Sequence, residues 1–100
     1  MQISNFRATA HGGIEGVEFE SNGYIVRIYK SFDIYTVRFT PLRRVMQPEI
    51  MFHREGSMLS FPRGSLTADN LDEFVQNVRD ASELCTYVEN NIDNLIARKE

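Results

Sequence analysis

The sequence has one cysteine, no tryptophan, two histidines, three prolines and only two lysines, Lys30 and Lys99, among its eleven cations. A lone Cys85 closes no internal disulfide, so a disulfide-stapled scaffold is excluded and a reducing, cytoplasmic setting is the expectation. No apolar run approaches the ~20 residues of a membrane helix, so no membrane contact is expected. Residues 1–7 lack the charged-then-apolar order of a secretion signal.

The scarcity of Cys and His also bounds the chemistry. A structural zinc site takes four such ligands in paired spacing, and only His11, His53 and Cys85 are present. Asp69, Asp72 and Glu73 lie close together, but without a calcium-loop pattern around them. No serine sits in a Gly-x-Ser-x-Gly elbow. Residues 11–16, His-Gly-Gly-Ile-Glu-Gly, carry three glycines but no Gly-Lys-Ser/Thr and no helix after them, so they read as a hinge rather than a phosphate loop. Pro62-Arg63-Gly64-Ser65 could offer amides to an anion, with Asp69 and Asp72 opposing it. Cys85 falls on the apolar stripe of a helix, where a thiol behaves as a small hydrophobe. A Cys85/His53 dyad is a conceivable nucleophilic pairing. The expectation is therefore a chain without catalysis, metal or cofactor.

What is present is an ordinary globular balance, with 42% apolar and 25% charged residues. One hundred residues support one domain and one core. The net charge of -3 hides a division. Residues 1–68 carry 8 basic and 6 acidic side chains, whereas residues 69–100 carry 3 basic and 8 acidic.

Residues 1–62 read as strands. Asn22-Gly23 supplies the two positive-φ positions of a type I′ hairpin. Setting Ser21 opposite Tyr24 places Phe19 opposite Val26, Val17 opposite Ile28 and Glu18 opposite Arg27. A second turn at Phe32-Asp33 sets Ser31 opposite Ile34, Ile28 opposite Val37 and Val26 opposite Phe39. One apolar face then runs through three strands, and that agreement fixes the register. The same register sets Arg27 opposite Arg38, a like-charge pair that Glu18 or a partner would offset. Pro41 ends this strand. Residues 42–48 read as a loop or short edge segment, and 49–62 as a further hairpin turning at Glu55-Gly56, with Phe52 opposite Leu59 and Ile50 opposite Phe61. Residues 3–9 form a first strand. The prediction is an α+β fold: an antiparallel meander of five or six strands with one long C-terminal amphipathic helix on one face.

That helix covers residues 67–98. Leu71, Phe74, Val75, Val78, Ser82, Cys85, Val88, Ile92, Leu95 and Ile96 recur at three and four. Thr67 reads as its N-cap, with Leu66 and Leu71 as a hydrophobic staple. A helix of ~30 residues is ~45 Å long, more than the ~34 Å expected across a domain of this size. The helix should then overhang the sheet or break at Asn90-Asn91. An overhang leaves Ile92, Leu95 and Ile96 to be covered by a second copy in a homodimer, or by strand 1 or the 41–48 loop.

Three surfaces could bind. The sheet face opposite the helix places Ile25, Arg27, Tyr29, Thr36 and Arg38 side by side, suited to a protein partner and, as an alternative, to single-stranded nucleic acid stacking on Tyr29. The loop residues Arg43, Arg44 and Met46, with Met51 and Met58, form a second. The outer helix face, Asp72, Glu73, Asp80, Glu83 and Tyr87, is an acidic third, able to enter the basic groove of a nucleic-acid-binding protein. The leading expectation is a small regulatory protein, accessory or inhibitory, that covers or bridges a larger protein.

Overall fold

A computed structural model describes residues 1–43, 47–53, 57–60 and 71–98. The chain runs β1 (Ser4–His11), β2 (Ile14–Ser21), β3 (Tyr24–Ser31), β4 (Ile34–Pro41), β5 (Glu49–Met51), β6 (Met58–Ser60) and α1 (Leu71–Arg98). The strands form one antiparallel sheet in sequence order, with α1 packed against one face.

Two-residue turns connect the first four strands. Gly12 and Gly13 have φ of 57° and 80°, and Asn22 and Gly23 have φ of 50° and 82°. Both pairs show the double positive φ of a type I′ turn, whose twist matches that of the flanking strands. At the third turn Phe32 has φ 56° while Asp33 has no positive φ, the pattern of a type II′ turn. Both predicted registers are found: Glu18 pairs with Arg27, Phe19 with Val26, Arg27 with Arg38, Val26 with Phe39 and Ser31 with Ile34. Pro41 closes β4 as expected.

The β5–β6 register differs from the sequence reading. Ile50 pairs with Leu59 and Met51 with Met58, rather than Ile50 with Phe61. The shift is two residues, which leaves every side chain on its original face. Face alternation therefore could not distinguish the two registers; only turn chemistry could. The Glu55-Gly56 turn itself lies outside the described residues.

The inner sheet face supplies Val17, Phe19, Tyr24, Val26, Ile28 and Ile50 to the core; Ala81, Leu84, Cys85, Val88 and Leu95 of α1 meet them. Each fully buried aliphatic or aromatic side chain here contributes ~1.5–3 kcal/mol. Side-chain hydrogen bonds fix the packing at one end. Asn22 Nδ2 donates to the Asp80 carbonyl at 3.0 Å, and the Tyr24 hydroxyl to the Pro48 carbonyl at 2.6 Å. Gln47 Nε2 donates to the Gly23 carbonyl at 2.9 Å while its Oε1 accepts from the Arg43 amide at 2.7 Å. These bonds tie the loop after β4 to the β2–β3 turn.

Two expectations about α1 are corrected. The helix does not break at Asn90-Asn91; it is continuous from Leu71 to Arg98. Asn91 Nδ2 donates to the Tyr87 carbonyl one turn earlier, at 2.8 Å, so a side chain suited to capping a helix end is used within the helix. Nor do Ile92, Leu95 and Ile96 stand out as an exposed patch; the exposed large apolar side chains of α1 are Leu71 and Val75, at its other end. Leu95 is 4% exposed, and Ile92 and Ile96 are half-buried against the core. A diameter of ~34 Å holds for a sphere, whereas the described residues extend 45 × 26 × 24 Å. Strand 1 provides part of the cover: the Arg98 guanidinium lies 4.4 Å from the Phe6 ring centroid, and Phe6 stacks on Phe19. Thr67 and Leu66 lie outside the described residues.

Candidate interaction face

The face opposite α1 is organised by one cross-sheet row. Strand pairing places Arg7, Glu18, Arg27, Arg38, Met51 and Met58 in line from one sheet edge to the other. All six point away from the core because each occupies the outward phase of its strand.

Glu18 governs the first half of this row. It is 6% exposed, yet its two oxygens are both occupied. Oε2 accepts from Arg7 Nη2 across β1, and Oε1 accepts from Arg27 Nε at 2.7 Å across β3. Burial alone would push this carboxyl up. The hydrogen bonds and charges of Arg27 and Arg7 outweigh it and hold the group below the usual carboxylate range. One buried anion thus offsets two cations, including the Arg27 that faces Arg38.

Arg38 stands differently. It is exposed, and no carboxylate accepts from it among the described residues. Its lateral neighbour on β5 is Met51, 51% exposed, followed by Met58, 54% exposed. Thr36 and Thr40 flank it along β4, both exposed, and Ile25 is half-buried opposite Thr40. The second half of the row is therefore a cation beside adaptable apolar side chains, suited to bidentate contact with a carboxylate and to contact with aliphatic surface.

Tyr29 is the member of the predicted face that the structure removes from view. It is 9% exposed. Gly16 lies directly opposite on β2 and carries no side chain, so the ring covers that gap: a Cβ on Gly16 would lie 2.6 Å from Tyr29 Cδ1 and 2.3 Å from the Ile28 carbonyl oxygen. His11 closes the far side, with ring centroids 5.9 Å apart. Without Tyr29, the remaining residues of the predicted face, Ile25, Arg27, Thr36 and Arg38, offer no aromatic ring for a base to stack on.

The other two predicted surfaces are dispersed. In the loop, Arg43 is exposed, while Arg44 and Met46 lie outside the described residues. On α1, Asp72, Glu73 and Glu83 are exposed and Tyr87 is half-buried against the core. Glu83 Oε1 accepts from Asn22 Nδ2, which also donates to the Asp80 backbone carbonyl, and the Asp80 carboxylate accepts from Gln76 one turn earlier. Asp93 and Glu89 accept from Tyr35 and Ser57. Much of the acidic helix face is engaged within the chain.

Cys85 is buried, and burial raises its thiol pKa, so little of it is thiolate near neutral pH. His53, the base considered for it from the sequence, is exposed. Among the described residues no three His, Cys, Asp or Glu side chains gather as a metal site.

Sequence reasoning treated the Arg38 face and the Met51/Met58 pair as separate surfaces. The β4–β5 pairing joins them, and no local pattern announces a pairing reached through a loop of several residues. Comparison with protein-family models, curated proteins and solved structures yields no match for this chain.

Proposed function

We propose that this chain is a small non-catalytic binding protein of the cytoplasm, acting by covering or bridging a larger protein through its outer sheet face. The observation that carries this reading is Arg38: an exposed guanidinium without a carboxylate among the described residues, placed beside two half-exposed methionines. Arg27 stands beside it on β3, already held by Glu18. Thr36 and Ile25 complete the contact area. The matching partner surface presents a carboxylate next to aliphatic or aromatic side chains, the composition that gives arginine-centred interfaces their strongest contacts. The lone buried Cys85 suits a reducing compartment.

The nucleic-acid reading loses its main support with the burial of Tyr29, because base stacking supplies much of single-strand affinity. The acidic helix face loses part of its support through its contacts to Asn22, Tyr35 and Ser57.

Parallel affinity capture from the native host tests the proposal, using wild type, Arg38→Glu, and a helix variant carrying Asp72→Lys and Glu73→Lys. A defined set of proteins should bind wild type and the helix variant and be lost on Arg38→Glu. Equal capture by wild type and Arg38→Glu overturns the face assignment. Retention of wild type on a single-stranded oligonucleotide column, abolished by Arg27→Glu with Arg38→Glu, would replace the protein partner with nucleic acid.

A further inference from the structure

The tip of the β3–β4 hairpin combines two unfavourable features. Phe32 is 93% exposed, and it holds a φ of 56° that bulky L-residues rarely adopt. The first central position of a type II′ turn belongs to glycine. The contrast with the opposite end of β3 is instructive. There Asn22 holds a similar φ of 50°, but it is a residue that tolerates this conformation, and its amide is bonded to α1. Phe32 has neither excuse: it makes no ring contact among the described residues.

The surroundings extend the patch. Ile34 is 70% exposed and Ile14 39% exposed. Beside them lies an open recess of about 490 Å³, lined by Gly13, Ile14, Glu15, Lys30, Phe32 and Ile96 among others. Gly13 narrows no part of it, since nothing stands within 4 Å of where its Cβ would be. A protruding ring and an open hollow of mixed lining, with Ile14 and Ile96 among its walls, therefore occur side by side at one end of the sheet.

We propose that this end is a self-association surface, in which the Phe32 ring of one copy seats in the Gly13/Ile14/Ile96 recess of a second copy and the reverse occurs about a two-fold axis. An isologous contact requires projection and recess on the same patch, and here they adjoin. The charges around the recess, Lys30, Glu15 and Asp33, are mixed in sign, so two copies meet without a single-sign repulsion. The same mixture supplies no cationic excess for an anionic lipid surface. Phenylalanine contributes at most ~150–250 Å² per copy. Even with both isoleucines the contact stays short of the ~1,200 Å² typical of stable complexes, so the pair is weak and concentration-dependent. It leaves the Arg38 face free and so goes beyond the function proposed above.

Sedimentation velocity of wild type, Phe32→Gly, Ile14→Glu and Arg38→Glu, from about 10 μM to about 1 mM, tests this. Wild type and Arg38→Glu should shift from monomer toward dimer across the range. Phe32→Gly, which creates the Gly-Asp pair a type II′ turn prefers, should remain monomeric while its melting temperature holds or rises; that excludes misfolding as the cause. Ile14→Glu should weaken association at least roughly tenfold. The proposal is overturned if wild type stays monomeric throughout, or if Phe32→Gly associates as wild type does. It is also overturned if wild type remains monomeric yet co-sediments with phosphatidylcholine vesicles in a Phe32-dependent way, which would assign the tip to lipid.

Discussion

At the residue scale, Glu18 and Gly16 show how single positions set the outer face. Glu18 is buried, and two arginines hold its carboxyl below the usual range. A depressed folded-state pKa contributes stability that is present above the unfolded value and lost as pH falls through the folded one. Stability should therefore decline as the pH drops below about 4.5, the ordinary value for this carboxyl. Glu18→Gln should cost about 1–2 kcal/mol at pH 7 and flatten that acid limb, since its neutral amide does not titrate. Urea unfolding at pH 7 and at pH 3.5 reads both effects. Gly16→Ala places a methyl against backbone and the Tyr29 ring, and should cost about 1–3 kcal/mol by overpacking. Its signature is Tyr29 swinging outward, seen as a gain in tyrosine accessibility to a quencher. Reading Tyr29 as exposed failed at this scale. Alternation fixed its face but not what the missing side chain opposite would let its ring do.

At the element scale, the most legible features were those where local chemistry and face pattern agree. Asn22-Gly23 and the alternation of Val17, Phe19, Val26 and Ile28 each point to the same register, and the structure has it. The 50–59 pairing was less legible because two registers bury the same residues. Of the two outcomes open for α1, overhang or a break at Asn90-Asn91, the break does not occur, because asparagine's capping tendency has an alternative in the bond to the Tyr87 carbonyl. Continuity makes a prediction: amide exchange should show unbroken protection from about Ala81 to Leu95, with no weak point at Asn91. The Phe32 turn makes another. Replacing it by glycine should raise stability by about 0.5–1 kcal/mol, the reverse of what removing a phenylalanine normally does, because it relieves an unfavourable backbone conformation without emptying any core. Denaturant titration supplies the sign.

At the scale of the whole molecule, the two faces of the sheet have separate duties. The inner face exists only in company with α1, and Leu84→Ala, at a fully buried position, should cost about 2–5 kcal/mol by cavity formation. The outer face pairs Glu18 with Arg7 and Arg27 across strands and leaves Arg38 without a carboxylate among the described residues. The meander and its helix could be read from the residues because neighbours in sequence are neighbours in space. The row joining Arg38 to the methionines could not, since it depends on a strand reached through a loop. No helix among the described residues is long and apolar enough to cross a membrane, which agrees with the composition.

The order of elements along the chain matters for how the protein is made. All six strands precede α1, so during synthesis a hairpin ribbon can assemble while the segment that will shield Phe19, Val26 and Ile28 is still inside the ribosome. For that interval, roughly a few seconds at ordinary elongation rates, a greasy sheet surface faces the crowded cell with nothing over it. Nascent chains stalled before Leu71 should accordingly recruit holding chaperones, and release them once residues through Leu95 have emerged.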